Sequence, residues 1–244
     1  NFLDFMKEAE REILKAKHDE VIQGKPVRTF EVEISRKDGR LVWVEVSPKL
    51  LRYNGHRFRV VSLVEITRRK RLEESLRALA TTDPLTGISN RRDFMEMANR
   101  EVLRSLRSQR LPSVIMIDLD RFKRINDSHG HAVGDQVLIQ FTLACENILR
   151  ETDLFGRLGG EEFAILLPET DLDQAAVVAE RLREALHPLE IEAGSGSLRF
   201  TASFGVSRVF AEEVSIEPAL HRADVALYAA KEGGRNRVEV KIET

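Results

Sequence analysis

A lone cysteine, Cys145, excludes an internal disulfide framework, as suits a reducing compartment. Its neighbours Phe141 and Ile148 read as the buried side of a helix, where a thiol packs as a small hydrophobe rather than acting in redox chemistry. No uninterrupted apolar run reaches membrane-spanning length and no signal peptide is visible. The expected location is therefore cytoplasmic, with any membrane attachment assigned to residues outside this sequence. A basic field is missing as well: 38 Lys and Arg against 40 Asp and Glu leave a net charge of −2, so neither DNA nor RNA is an expected partner. Neither a Walker A phosphate loop nor a GxGxxG fingerprint occurs, which argues against a P-loop GTPase or an NAD enzyme.

At 244 residues the chain has room for one large or two modest domains. Its chemistry concentrates in two stretches. The apolar run from Ser113 to Ile117 has the character of a buried central strand and is closed by Asp118. Two further apolar runs, Phe155 to Leu158 and Phe163 to Leu167, flank Gly159-Gly160 and read as a β-hairpin carrying Glu161 and Glu162 at its tip. Strand and hairpin side by side bring Asp118 and Glu161 to one sheet edge, next to glycines that leave room for a ligand. Converging carboxylates beside open backbone suit a hard divalent cation such as Mg²⁺, which points to metal-assisted phosphoryl or nucleotidyl transfer.

Around these stretches, helices are expected over Asn90–Arg107, Gly134–Arg150, Leu172–Leu186 and Pro218–Lys231. A polar, glycine-bearing connection follows Asp120, and strands are expected over Leu198–Val209 and Arg237–Ile242. The order predicts an α/β (α+β sandwich) domain, a mixed sheet covered by helices. His129 and His131 lack a third ligand of the right type and read as loop residues rather than a zinc pair.

Gly159-Gly160-Glu161-Glu162-Phe163, together with Ile117 to Asp127 (IDLDRFKRIND), strongly resembles the catalytic domain of the GGDEF family of diguanylate cyclases. Asp83 to Arg92 (DPLTGISNRR) and Gly130 to Asp135 (GHAVGD) resemble two more of its motifs, so the likeness spans about Asp83 to Val240. It implies a nucleotidyl-cyclase or polymerase-palm core that joins two GTP molecules into cyclic di-GMP. It further implies Asp118, Glu161 and the Leu119 carbonyl as ligands of two Mg²⁺ ions (or Mn²⁺), with Glu162 essential. Phosphates are expected on the main-chain N–H groups of Phe122 and Lys123, with the Lys123 side chain assisting, and on Lys231 and Arg235. Asn126 and Asp135 are implied in guanine recognition, the alternatives being an Asx turn and a helix N-cap. Asp120 is divided between turn stabilisation and catalytic support. Arg150 and Asp153, with Arg181 on the following helix, resemble the family's inhibitory product site; the alternative is an Arg150–Asp153 surface ion pair. The alternative function is a catalytically weak GTP or cyclic di-GMP effector. No Glu-x-Leu phosphodiesterase module accompanies these motifs.

Residues 1–66 read differently. A helix is expected over Phe2–Gln23, then three strands, Val27–Arg36, Arg40–Leu51 and Arg57–Ile66, joined at Asp38-Gly39 and Asn54-Gly55. Arg36 to Val46 resembles the C-terminal half of a PAS sensor domain, and Glu65 to Glu74 its exit into a signalling helix over residues 67–82, leaving 83–244 as the cyclase domain. Trp43 reads as a packing residue ahead of a pocket residue. Leu72, Leu76 and Leu79 share one helical face, a short coiled-coil spacing that the resemblance turns into an expected homodimer contact. The basic run Arg68–Arg71 reads as a solvated helix start ahead of a membrane contact.

Overall fold

A computed structural model of the chain describes residues 28–241 apart from Lys37 and Ser195. The helix expected over Phe2–Gln23 lies outside the described residues, as do Val27 and Ile242. The chain forms two compact units that divide between Ala78 and Leu79.

In the first unit, β1 (Phe30–Ser35), β2 (Leu41–Tyr53) and β3 (His56–Glu65) form an antiparallel sheet in that order. Asn54 and Gly55 both take positive φ, 48° and 78°, as a two-residue hairpin turn requires. Strand alternation puts Val32, Val42, Val44 and Val46 on one face, where they are buried together. Trp43 lies on the other face, where the Lys70 ammonium stands 5.1 Å from its ring. Helix α1 (Thr67–Thr81) follows, and its Arg69 and Lys70 both pair with Glu31 at 2.5 Å. Two of the four basic residues at the helix start are thus engaged by the sheet.

The second unit is built on one mixed sheet of six strands. Its elements are β4 (Ser89–Asn90), α2 (Arg91–Ser108), β5 (Ser113–Leu119), α3 (Phe122–His129), α4 (His131–Glu146), β6 (Leu154–Gly159), β7 (Glu162–Leu167), α5 (Leu172–Ala185), β8 (Ile191–Ala193), β9 (Gly196–Leu198), β10 (Ala202–Arg208), α6 (Glu217–Glu232) and β11 (Val238–Val240). Strand order is β11-β10-β5-β7-β6-β4, with β4 and β11 parallel to their neighbours and the interior pairings antiparallel. Every residue of β5 is buried, which is why its sequence runs apolar instead of alternating.

Helices cover both faces. Phe122, Val137, Phe141, Ala175 and Leu182 from α3, α4 and α5 pack with Ile115, Ile117, Phe163 and Phe204. On the other face, α2 and α6 supply Phe94, Ala98, Val102, Ala223 and Leu227 against Val114, Met116, Ala164 and Leu166. Each fully buried large side chain contributes roughly 1.5–3 kcal/mol. Gly205 lets α6 lie flush on β10, since a Cβ there would stand 2.0 Å from the Ala223 carbonyl oxygen.

Three expectations are corrected. The connection after Asp120 is helix α3, and α4 begins at His131 and ends at Glu146 rather than running from Gly134 to Arg150. The strand expected over Leu198–Val209 is two elements: β9 pairs back on β8, and β10 belongs to the main sheet. Cys145 is buried in α4, and burial pushes its thiol pKa up, which keeps it inert at neutral pH.

Candidate active site

Antiparallel pairing of β5 with β7 sets Asp118 opposite Glu162 and the Leu119 N–H toward the Glu161 carbonyl oxygen at 3.3 Å. The hairpin bends here: pairing of β6 with β7 shifts register between Arg157 and Gly159, and Gly159 and Gly160 take φ of 150° and 52°. The value at Gly160 lies in the left-handed region that glycine enters without steric cost. Glu161 is half-buried and Glu162 exposed, whereas Asp118 is only 8% exposed.

Burial raises the Asp118 pKa. The Lys231 ammonium, 2.8 Å from its Oδ2, opposes that rise, and the neighbouring charges of Glu161 and Glu162 add to it. Three carboxylates thus gather where β5 ends and β7 begins, and Lys231 compensates part of their charge. Among the described residues no group of three or more His, Cys, Asp or Glu side chains is arranged to hold a metal. Asp118, Glu161 and the Leu119 carbonyl offer oxygen donors only, the kind a hard divalent cation prefers, and do not form an all-protein cage.

Helix α3 begins immediately after this edge. Arg121 takes φ of 57° in front of it and supplies no side-chain cap, so the first-turn N–H groups, those of Phe122 and Lys123 among them, form a positive helix end suited to phosphate. The Phe122 side chain is buried and Lys123 is exposed. Asn126 lies within α3 and Asp135 within α4, so neither the Asx turn nor the N-cap alternative describes them. Asn126 Oδ1 is buried without a hydrogen-bond partner, and a Cβ on Gly134 would stand 1.9 Å from it. Gly134 is thus the clearance that lets Asn126 sit where it does. Asp135, one residue on, is exposed.

Asp120 sits in the turn after β5, but its carboxylate bonds outside that turn. It is 7% exposed; its Oδ1 accepts from Ser203 Oγ at 2.6 Å, and its Oδ2 from Thr201 Oγ1 at 2.6 Å and the Asn236 N–H at 3.0 Å. A buried carboxylate with three donors is fully engaged, which ties the end of β5 to β10 and to the turn carrying Arg235. Arg157, which sequence reasoning passed over, holds the hairpin tip. Its Nε and Nη2 donate to the Gly160 carbonyl at 2.9 and 2.7 Å, and its Nη1 bridges both oxygens of Asp83 at 3.0 and 3.2 Å. The only signal for it was an arginine two residues before a glycine turn.

The match that decides the family is to the one described as diguanylate cyclase, GGDEF domain, over residues 80–237. The chain belongs to that family. The chain is 40% identical over 201 residues to diguanylate cyclase DgcM of Escherichia coli, covering 82% of this chain and 48% of that protein. It is 41% identical over 172 residues to the response regulator PleD of Caulobacter vibrioides, covering 70% and 38%. The chain thus spans about half the length, or less, of these curated relatives. Among solved structures, the coiled coil and GGDEF domain of DgcB from Caulobacter crescentus, in complex with c-di-GMP, superposes with a TM-score of 0.67 at 30% identity, covering 72% of this chain and 93% of that one. The active GGEEF domain of a diguanylate cyclase from Vibrio cholerae gives 0.60 at 32% identity, covering 64% and 98%.

Away from the acidic edge of the GGDEF domain, Arg150 and Asp153 line a hollow of about 490 Å³ with Met97, Glu146 and Phe155. Their direct contact runs through the backbone: the Arg150 N–H donates to Asp153 Oδ2 at 2.8 Å. Arg181 is exposed on α5 and does not line that hollow. His129 and His131 are both exposed.

Proposed function

We propose that this GGDEF domain condenses two molecules of GTP into cyclic di-GMP with release of two pyrophosphates. The observation that carries the reading is the buried Asp118 beside Glu161 and Glu162, facing Lys231 and next to the open N-terminus of α3. Each 3′-oxygen forms a bond to the α-phosphorus of the other nucleotide, and the bond from that phosphorus to the bridging oxygen breaks as pyrophosphate leaves. The bound Mg²⁺ ions, held by Asp118, Glu161 and the Leu119 carbonyl, would lower the hydroxyl pKa and neutralise charge on the phosphates. Glu162 is the exposed carboxylate available to accept the hydroxyl proton. Phe122 and Lys123 N–H groups and the Lys123 side chain hold phosphate oxygens, while Lys231 and Arg235 take the terminal phosphates.

Guanine is read by Asn126 and Asp135. The buried, unpartnered Asn126 Oδ1 lacks an N–H donor, and guanine N1–H and N2–H provide donors where adenine N1 would leave acceptor against acceptor.

One bound GTP cannot present both hydroxyls to both phosphates, so catalysis belongs to a homodimer with two facing sites. Leu72, Leu76 and Leu79, exposed at 54%, 66% and 69% along α1, are the seam that supports it. The β1-β2-β3 sheet acts as part of a PAS-like sensor, and the enzyme works in the cytoplasm. Arg150 and Asp153, with Arg181, bind cyclic di-GMP as inhibitor.

Chromatography of reactions containing the protein, GTP and Mg²⁺ tests both chemistry and assembly. Cyclic di-GMP is expected, with specific activity falling as the protein is diluted through dimer dissociation and with turnover lost in folded Asp118→Ala and Glu161→Ala variants. Linear product only, or unchanged turnover in either variant, overturns the chemistry; constant specific activity in a confirmed monomer overturns the dimer.

A further inference from the structure

The peptide unit that closes β5, between Leu119 and Asp120, has one end tied and the other open. Its N–H, on Asp120, donates to the carbonyl of Thr201, just before β10, at 2.8 Å. A trans peptide is planar, so the Leu119 carbonyl of the same unit points the opposite way, toward the Glu161 side of the sheet. There the ladder is half made. The Leu119 N–H reaches the Glu161 carbonyl at 3.3 Å, but among the described residues no Glu161 N–H returns to the Leu119 carbonyl. Leu119 is fully buried, and buried backbone carbonyls are nearly always paired.

The Asp120 side chain braces this unit. Its Oδ2 accepts from Thr201 Oγ1 at 2.6 Å, so Asp120 and Thr201 are joined twice, once through the backbone and once through their side chains. Its Oδ1 accepts from Ser203 Oγ at 2.6 Å, and Oδ2 also takes the Asn236 N–H at 3.0 Å. All of these donors are neutral and leave the carboxylate its charge. A single backbone bond would let the peptide plane tilt about it; the second link to the same residue removes that freedom.

We propose that Asp120 is a positioning residue for the metal edge: joined twice to Thr201, it holds the Leu119 carbonyl open toward Asp118 and Glu161, ready for the divalent cation. The inference rests on the proposed reading of that carbonyl as a metal ligand. Groups that orient a ligand without touching the metal set its affinity, and their removal costs about 10–100-fold. The Asp120 charge also attracts a cation from a distance. Removing the Thr201 hydroxyl separates the two effects, because it breaks the brace and keeps the charge.

Titration of Mn²⁺ alone into the full chain, with the free ion followed by electron paramagnetic resonance, tests this. Wild type should bind and Asp118→Ala should not. Asp120→Asn should weaken binding about tenfold or more, and Thr201→Val about fivefold, the scale of one hydrogen bond. Thr201→Ser, which keeps the hydroxyl, should bind as wild type does. Ser113→Ala removes a buried 2.8 Å bond to the Thr170 carbonyl at the far end of β5; it should lower the melting temperature and leave Mn²⁺ affinity unchanged. Thermal melts establish that each variant folds, and if Asp120→Asn does not, Thr201→Val decides alone. Wild-type affinity in Thr201→Val overturns the positioning role and reduces Asp120 to a charge, and an equal loss in Ser113→Ala overturns it as general loosening. Absence of Mn²⁺ binding in the wild type, or binding indifferent to Asp118→Ala, sinks the metal reading itself and this inference with it.

Discussion

The Lys231 ammonium stands 2.8 Å from Asp118 Oδ2, so a side chain implied in phosphate binding is, without ligand, the counter-ion of a carboxylate implied in metal binding. Burial makes that carboxylate costly to ionise, and Lys231 offsets part of the cost. Lys231→Met should lower the metal-free melting temperature by several degrees, the scale of about 1–3 kcal/mol in a domain of this size. Added Mg²⁺ should raise the variant's melting temperature more than the wild type's, because the cation replaces the missing ammonium. Melts with and without Mg²⁺ decide this; equal shifts in the two proteins would refute it.

Removing the Asp120 carboxylate strands Ser203, Thr201 and the Asn236 N–H together. Asp120→Ala should cost on the order of 3 kcal/mol in denaturant unfolding and should raise KM for GTP, since the turn holding Arg235 loses its anchor. A loss of stability with KM unchanged would show that the anchor does not reach the substrate.

Burial alone would raise the Asp83 pKa, but the Thr86 hydroxyl and N–H and the Arg157 guanidinium together hold it below the usual carboxylate range. A depressed folded pKa contributes stability that is fully present above the unfolded value, about 3.9, and is lost as pH falls through the folded value. Wild type should therefore exceed Asp83→Asn in stability by a constant margin from neutral pH down to about 4, with the gap closing in stronger acid. Urea unfolding across pH measures it, and a margin that widens below pH 4 would contradict the assignment.

Cyclic di-GMP added to initial-rate assays should inhibit the wild type. Arg150→Ala and Asp153→Ala should relieve that inhibition at least tenfold, the loss of one charge-assisted contact, while turnover without inhibitor stays at the wild-type level. Equal inhibition constants in all three proteins would remove this site from the account.

The sequence by itself determined the central strand, the hairpin and its turn, the mixed sheet and the family. These features are local: a run of buried β-branched and aliphatic residues closed by Asp118, two glycines between apolar strands, and motifs read along contiguous residues. Helix α3 was not legible because Phe122 and Ile125 are its only buried positions in eight residues, too few to establish a helical period. The division of β9 from β10 was equally hidden, since only three residues separate them and pairing with β8 or β5 tells them apart.

Only the tertiary structure decided what the charged side chains touch. Asp120 meets donors 81, 83 and 116 residues away, and Arg157 reaches back 74 residues to Asp83. Lys231 reaches Asp118 because α6 lies flush on β10, next to β5. Residue type states that each such group needs a partner once buried. Which partner it finds is set by strand order and helix packing, because hydrogen bonds and ion pairs act over a few ångströms and only the folded chain brings those groups within reach.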